Sequence, residues 1–263
     1  RVFVLDWVED PQTRTLDGTE RLIALDESTG ALLWTYEWHT SSYRMLMQTN
    51  AIGPRATPTV DGDRVYVVGA TGILVCLDVA TGKPLWQTNY VTDYNTSVTP
   101  WGVTSAPLVD GHRLIAIVGG EPDALVVAFD KRTGAEIWRS LRVESDAGYG
   151  QPIIYEAGGV RQLIIWHPRA LNSVDPETGK AFWGVPFTAR SGLTISTPRL
   201  HGDLLFVTSF YNGPLMMRLA KDAPRATVAW RATGRSERVT QQLHAIMCTP
   251  FIEDGYIYGV CSY

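Results

Sequence analysis

The side chains best suited to binding or catalysis occur in polar segments that separate the apolar stretches of the sequence. Arginines and aromatic residues recur together there, and a guanidinium beside an aromatic ring favours an anionic planar ligand, a peptide or a glycan. The alternative is that these segments are polar because they are loops, and that their aromatic residues pack between strands. The candidate ligand-binding residues are Arg55, Trp101, Tyr149, Gln151, His167, Arg169, Arg190, Gln242 and His244.

Sequence patterns typical of catalytic sites are absent, and we predict no catalytic residue and no metal ligand. The sequence contains no Gly-x-Ser-x-Gly, His-Glu-x-x-His, phosphate-binding loop or Cys-x-x-Cys pattern. A single histidine such as His167 or His244 is more often a surface or packing residue than a catalytic one. Enzymatic activity therefore stays open, and the sequence favours a non-catalytic role.

The three cysteines allow two interpretations. If Asp254 and Gly255 form a two-residue hairpin turn, Cys248 faces Cys261 at a non-hydrogen-bonded pair, where side chains approach most closely. The first interpretation is a cross-strand disulfide, or two adjacent thiols, with Cys76 free. The second is three buried apolar thiols.

Charge and hydropathy narrow the classes of partner. The 263 residues include 23 Lys and Arg against 27 Asp and Glu, for a net charge of −4, and no basic run stands out. Nucleic acid is therefore not expected, because binding to its phosphates rewards a basic surface. No apolar run approaches the roughly 20 residues that cross a bilayer, so we predict no membrane span in this chain.

A tryptophan-containing segment occurs four times and organises the chain. Residues 22–34, 74–86, 126–138 and 171–183 share the pattern apolar-x-apolar-Asp-x-x-Thr-Gly-x-x-x-Trp. With Trp230, the tryptophans lie 52, 52, 45 and 47 residues apart. A period of about 45 to 50 residues with four short strands per unit is typical of a β-propeller blade.

One repeat is predicted in full from its turns and strands. Strands at residues 57–60, 64–68, 73–78 and 83–89 are separated by glycine-containing turns. The same order fits residues 105–141, 151–187 and 196–232, although residues 219–224 replace the Asp-x-x-Thr-Gly turn in the last copy. We predict one all-β propeller domain over residues 1–263, with about four whole four-stranded antiparallel blades. Residues 1–38 and 248–263 form the two partial blades.

These repeats resemble the tryptophan-docking motif of the PQQ-like, or quinoprotein-type, propeller superfamily, which includes BamB-like proteins. The resemblance covers essentially the whole chain and implies a bacterial protein that is periplasmic or otherwise extracytoplasmic. It also implies seven or eight blades, so that this chain would be a segment of a larger propeller. We expect the residues that match the motif to have a structural role between blades. They are Asp26, Gly30, Trp34, Asp78, Gly82, Trp86, Asp130, Gly134, Trp138, Asp175, Gly179, Trp183 and Trp230.

The superfamily divides in function, and the resemblance leaves both branches open. Some members are PQQ- and calcium-dependent dehydrogenases, which typically carry an adjacent Cys-Cys pair; no two cysteines are neighbours here. Others keep the motif and bind no cofactor. The leading hypothesis is a non-catalytic scaffold without cofactor, which binds a protein or glycan through the loops that join outer to inner strands. The alternative is a periplasmic alcohol or sugar dehydrogenase with PQQ and calcium.

Overall fold

The repeats form antiparallel β-sheets in the computed structural model, which describes residues 1–12, 17–40, 53–142, 146–234 and 236–261. The chain divides into two compact units, Arg1–Ile137 and Trp138–Tyr263, and the boundary falls inside a strand. The first unit contains β1 (Val2–Glu9), β2 (Gly18–Leu25), β3 (Leu32–Thr40), β4 (Thr59–Asp61), β5 (Arg64–Val68), β6 (Ile73–Asp78), β7 (Pro84–Asn89), helix α1 (Tyr90–Tyr94), β8 (Leu108–Asp110), β9 (Arg113–Gly120) and β10 (Ala124–Asp130), and the boundary lies in β11 (Glu136–Ser140).

The second unit continues the same order of short strands. It contains β12 (Ile153–Ala157), β13 (Val160–His167), β14 (Ala170–Val174), β15 (Ala181–Pro186), β16 (Arg199–His201), β17 (Leu204–Ser209), β18 (Gly213–Leu219), β19 (Ala226–Arg231), β20 (Phe251–Glu253) and β21 (Tyr256–Tyr258), with a 3-10 turn at Arg190–Gly192. Among the described residues, no helix has the length and apolar character needed to span a membrane.

Consecutive strands pair in sequence order, so each repeat is one antiparallel sheet. We number the sheets as blades 1 to 6: β1–β3, β4–β7, β8–β11, β12–β15, β16–β19 and β20–β21. This confirms the predicted fold class, a β-propeller chain with four whole four-stranded blades between a three-stranded and a two-stranded partial blade.

Within each unit, an apolar core lies between neighbouring blades, which explains why the middle strands are apolar on both faces. In β5 and β9 every residue is buried. One cluster joins Tyr66 and Leu74 of blade 2 to Leu114 and Phe129 of blade 3. Another joins blades 4 and 5. A strand with two buried faces loses the alternation of a half-exposed strand and reads as a continuous apolar run.

Each intact Asp-x-x-Thr-Gly segment is a closed turn that leads into the last strand of its blade. In blade 2, Asp78 Oδ1 accepts from Thr81 N at 2.8 Å and Thr81 Oγ1 at 2.7 Å, and Gly82 N donates to Asp78 O. Gly82 has φ of 71°, a left-handed conformation that favours glycine. The side-chain acceptor and the final glycine therefore both serve the turn.

Helix α1 is an element that the strand pattern did not predict. It occupies a connection between an outer and an inner strand, where Asn89 Oδ1 accepts from Val91 N and Thr92 N as an N-cap. Tyr90 and Tyr94 are buried against blade 3. The predicted inner strand at 57–60 also starts later, at Thr59, because Pro58 has no N–H to donate to a ladder.

The hairpin of blade 6 has the predicted register, but the predicted disulfide is wrong for this structure. Phe251 faces Tyr258 and Glu253 faces Tyr256, and the ladder ends at Phe251. Cys248 and Cys261 lie beyond its last pair, where no ladder holds their side chains together, and both are exposed free thiols. Cys76 is also free, and its burial raises the pKa of the thiol. The interpretation of three buried thiols is likewise wrong for Cys248 and Cys261.

Candidate functional site

In the first unit, the predicted residues Arg55 and Trp101 lie together on connections between outer and inner strands. The Arg55 guanidinium carbon is 5.9 Å from the centroid of a Trp101 ring. Arg55 Nη1 donates to Trp101 O at 3.0 Å. The segment that contains Trp101 is bound to the turn between β5 and β6, because Val103 N donates to Ala70 O at 2.8 Å. An exposed arginine is thus held against a half-buried indole.

In the second unit, Arg190 forms a similar pair with an aromatic residue that was not among the candidates. Its guanidinium carbon lies 4.8 Å from the centroid of the Tyr211 ring. The backbone N–H of Arg190 donates to Asn212 Oδ1 at 2.9 Å, and Phe210 packs edge-on against Tyr211 with centroids 4.9 Å apart. A signal for Tyr211 existed in the sequence, since it stands in the turn-forming segment Tyr211-Asn212-Gly213-Pro214 between two apolar strands.

The connection that carries Arg190 is built from backbone hydrogen bonds to neighbouring turns. Ala189 N donates to Pro168 O at 2.8 Å, and Tyr149 N donates to Thr194 Oγ1 at 3.1 Å. Gly192 ends the 3-10 turn, and a Cβ added there would lie 3.6 Å from the Tyr149 ring. These bonds bring the segments that contain Tyr149, Arg169 and Arg190 together.

Three of the predicted ligand-binding residues are buried in this structure. Tyr149 is 7% exposed, His167 8% and His244 1%. The ring nitrogens of His244 lie 2.6 Å from Phe210 O and 3.2 Å from Thr240 Oγ1, so its hydrogen-bonding capacity is used inside the protein. The packing role that is common for a single histidine accounts for His244.

The remaining candidates are accessible but do not all join one cluster. Arg169 is exposed and Gln151 is half-buried. Gln242 Oε1 accepts from Thr233 N at 3.0 Å, a hydrogen bond within the segment that joins β19 to β20. Each unit thus has one arginine–aromatic pair on these connections, Arg55 with Trp101 in the first unit and Arg190 with Tyr211 in the second. We call these four residues the loop-face pairs.

The dehydrogenase alternative requires a calcium site, and the side chains of the described ranges can be compared with the needs of that ion. Calcium takes six to eight oxygen ligands, usually with several carboxylates. Within those ranges, no group of three or more His, Cys, Asp or Glu side chains converges on one point. The whole sequence also lacks adjacent cysteines.

Three motif tryptophans contact the turn of the following blade in the same way. Trp34 Nε1 donates to Val79 O at 3.1 Å, Trp86 Nε1 to Lys131 O and Trp138 Nε1 to Pro176 O, both at 3.2 Å. Each acceptor directly follows the Asp of its turn. A Cβ added at the turn glycine would lie 2.6 to 2.7 Å from the indole, at Gly82, Gly134 and Gly179.

The other two motif tryptophans lack this contact. Trp183 Nε1 donates to Gln162 Oε1 of its own blade at 2.8 Å, and Ser173 Oγ donates to the same oxygen at 2.7 Å. Trp230 is 41% exposed. The matching turn after Trp183 has no motif residues, so the indole satisfies its N–H within blade 4.

Comparison with known proteins agrees with this architecture. A family model described as outer membrane protein assembly factor BamB matches residues 18–262. The chain belongs to this family. A solved structure, BamB from Moraxella catarrhalis, aligns with a TM-score of 0.57 at 21% identity and covers 86% of this chain and 64% of its own. That likeness concerns the fold.

Curated relatives fall into two functional groups. BamB of Burkholderia pseudomallei is 28% identical over 261 residues, which are 94% of this chain and 59% of that protein. A quinoprotein ethanol dehydrogenase of Pseudomonas aeruginosa is 26% identical over 166 residues, 59% of this chain and 25% of the enzyme. The chain thus spans only part of both relatives.

Proposed function

We propose that the chain is a non-catalytic propeller scaffold that binds a protein partner outside the cytoplasm through the loop-face pairs. The observation that carries the proposal is that two exposed arginines are each held against an aromatic ring. A guanidinium has five N–H donors in a planar arrangement that matches the carboxylates and backbone carbonyls of a protein partner. The aromatic rings add apolar contact area.

Membership of the BamB family supports a protein partner rather than a glycan, because the named relative is an assembly factor for outer membrane proteins. The same relatives support a location outside the cytoplasm. The dehydrogenase relative favours the alternative function, in which PQQ and calcium support alcohol oxidation. The BamB family model matches residues 18–262, whereas the dehydrogenase aligns with 59% of the chain, so the scaffold is the better supported of the two.

The test measures binding of an outer membrane protein, diluted from urea, to the immobilised chain. Arg190→Ala and Arg55→Ala should each weaken binding about 10-fold, because interface arginines often account for more than 1 kcal/mol. The control is Arg132→Ala, which removes another exposed arginine. Arg132 lies on the Asp-x-x-Thr-Gly turn of blade 3, which the Trp86 indole contacts and which we call, with its equivalents, a docking turn. Thermal stability should stay close to that of the parent chain for all three variants, as for most surface substitutions.

Two outcomes would contradict the proposal. The first is binding that responds to Arg132→Ala as strongly as to Arg190→Ala. The second is saturable, alcohol-dependent dye reduction after incubation with PQQ and calcium, which would establish the dehydrogenase function instead.

A further inference from the structure

A cavity of about 620 Å³ lies beside Trp183, where the last repeat departs from the motif. Ala220 N donates to Arg225 O at 2.9 Å, as Asp78 N does to Lys83 O in blade 2. This equivalence puts Ala220 at the Asp position and Pro224 at the glycine position. Alanine offers no side-chain acceptor and proline no N–H, so the docking turn cannot form.

The Trp183 indole, which in an intact repeat would contact the docking turn, lines one side of this cavity. Trp183 is half-buried and lines the cavity, while its N–H is bound to Gln162 Oε1. The two other partners of Gln162, Ser173 Oγ and Ala157 O, hold the amide at 2.7 and 2.8 Å. The position of the indole is therefore set by blade 4, and its free surface remains available to a ligand.

The charged lining of the Trp183 cavity is mainly cationic. Arg218, Lys221 and Arg225 line it against one carboxylate, Asp203, which leaves a surplus of two positive charges. Arg218 is paired with Asp203. Lys221 forms no ion pair within 4.0 Å among the described residues, although its charge adds to the Arg218 hydrogen bond in lowering the pKa of Asp203. Arg225 pairs with Asp222, but both are exposed, and such surface pairs are weak enough to exchange partners.

We propose that the Trp183 cavity binds a small organic anion that carries an aromatic ring. The ring stacks on the Trp183 indole, and Lys221 and Arg225 bind the anionic group. The volume falls within the range of about 300 to 1,000 Å³ that is usual for small-molecule sites. This site is separate from the loop-face pairs and does not depend on the proposed function.

The test is calorimetric titration of the full chain with three probes. Phenyl phosphate has both the ring and the anion, inorganic phosphate has only the anion, and benzyl alcohol has only the ring. Phenyl phosphate should bind at least 10-fold more tightly than either of the others. Lys221→Glu should weaken phenyl phosphate binding about 10-fold or more, because it reverses the charge beside the anion.

Two variants locate the binding. Lys83→Glu makes the same charge change on the intact turn of blade 2 and should leave the Kd within about 2-fold. The triple variant Ala220→Asp, Ala223→Thr, Pro224→Gly restores the docking turn and should abolish phenyl phosphate binding. The proposal is overturned if phenyl phosphate does not bind saturably to the parent chain. It is also overturned if Lys83→Glu and Lys221→Glu weaken binding equally, or if the triple variant folds and still binds.

Discussion

Trp86 and Trp183 occupy equivalent positions on outer strands, yet only the first contacts the turn of the next blade. Trp86 Nε1 donates to Lys131 O, and its indole lies over Gly134. Trp183 Nε1 donates to Gln162 in its own blade, and a cavity lies where its docking turn would be. The turn of the next blade thus determines which acceptor the indole N–H contacts. In the degenerate repeat, the contact between blades is missing and the Trp183 cavity is present instead.

The largest expected effect comes from crowding a docked indole. Gly134→Ala places a Cβ 2.7 Å from the Trp86 ring and should lower the free energy of unfolding by about 3 kcal/mol, since overpacking and left-handed strain add. Gly111→Ala is the control, because its φ of 58° is also left-handed but nothing lies within 4 Å. It should cost about 1 kcal/mol. Urea unfolding followed by circular dichroism measures both, and equal losses would show that the indole contact contributes nothing.

A smaller loss of stability is expected at Trp183, whose N–H is bound by Gln162 of its own blade. Gln162→Leu leaves the Trp183 N–H and Ser173 hydroxyl without their shared acceptor, and should cost about 2 kcal/mol in unfolding free energy. Gln87→Leu, at an exposed site, is the control. In the chain with the restored turn, the cost of Gln162→Leu should fall, because the carbonyl of residue 221 becomes an acceptor for Trp183. An unchanged cost would refute the proposed equivalence of the two turns.

The smallest effect is a pH dependence to which the turns of blades 1, 2 and 3 contribute. Hydrogen bonds from Thr29 and Thr81 lower the pKa of Asp26 and Asp78, and the Thr133 backbone N–H chiefly lowers that of Asp130. A lowered folded pKa adds stability above the unfolded value, and this stability is lost as pH falls through the folded value. The melting temperature should therefore drop below about pH 4.

Replacement of all three carboxylates by asparagine should flatten this drop, because the amide oxygen still accepts but does not titrate. Thermal melts between pH 7 and pH 3 measure the difference. Asp93 and Asp203 also have lowered pKa values and remain in both chains, so part of the drop should persist. An equally steep drop in the asparagine variant would exclude the turn carboxylates as its source.

Parts of the candidate site could be predicted from residue type, and other parts could not. Arg55 and Trp101 were predicted and do lie together. His244 was predicted for its chemistry, but burial and two hydrogen-bond contacts make it a packing residue. Residue type says what a side chain is able to do. Which partners surround it depends on segments far away in the chain, as for Arg190 and Tyr211.

The sequence by itself determined the repeat, the order of strands and the turn chemistry, since these depend on neighbours within a few residues. Four whole blades and the register of the last hairpin follow from glycine, proline and aspartate spacing. Only the tertiary structure decided which indole contacts which turn and where a cavity lies. Those outcomes depend on the packing of one blade against the next, and Ala220 and Pro224 in place of aspartate and glycine change them.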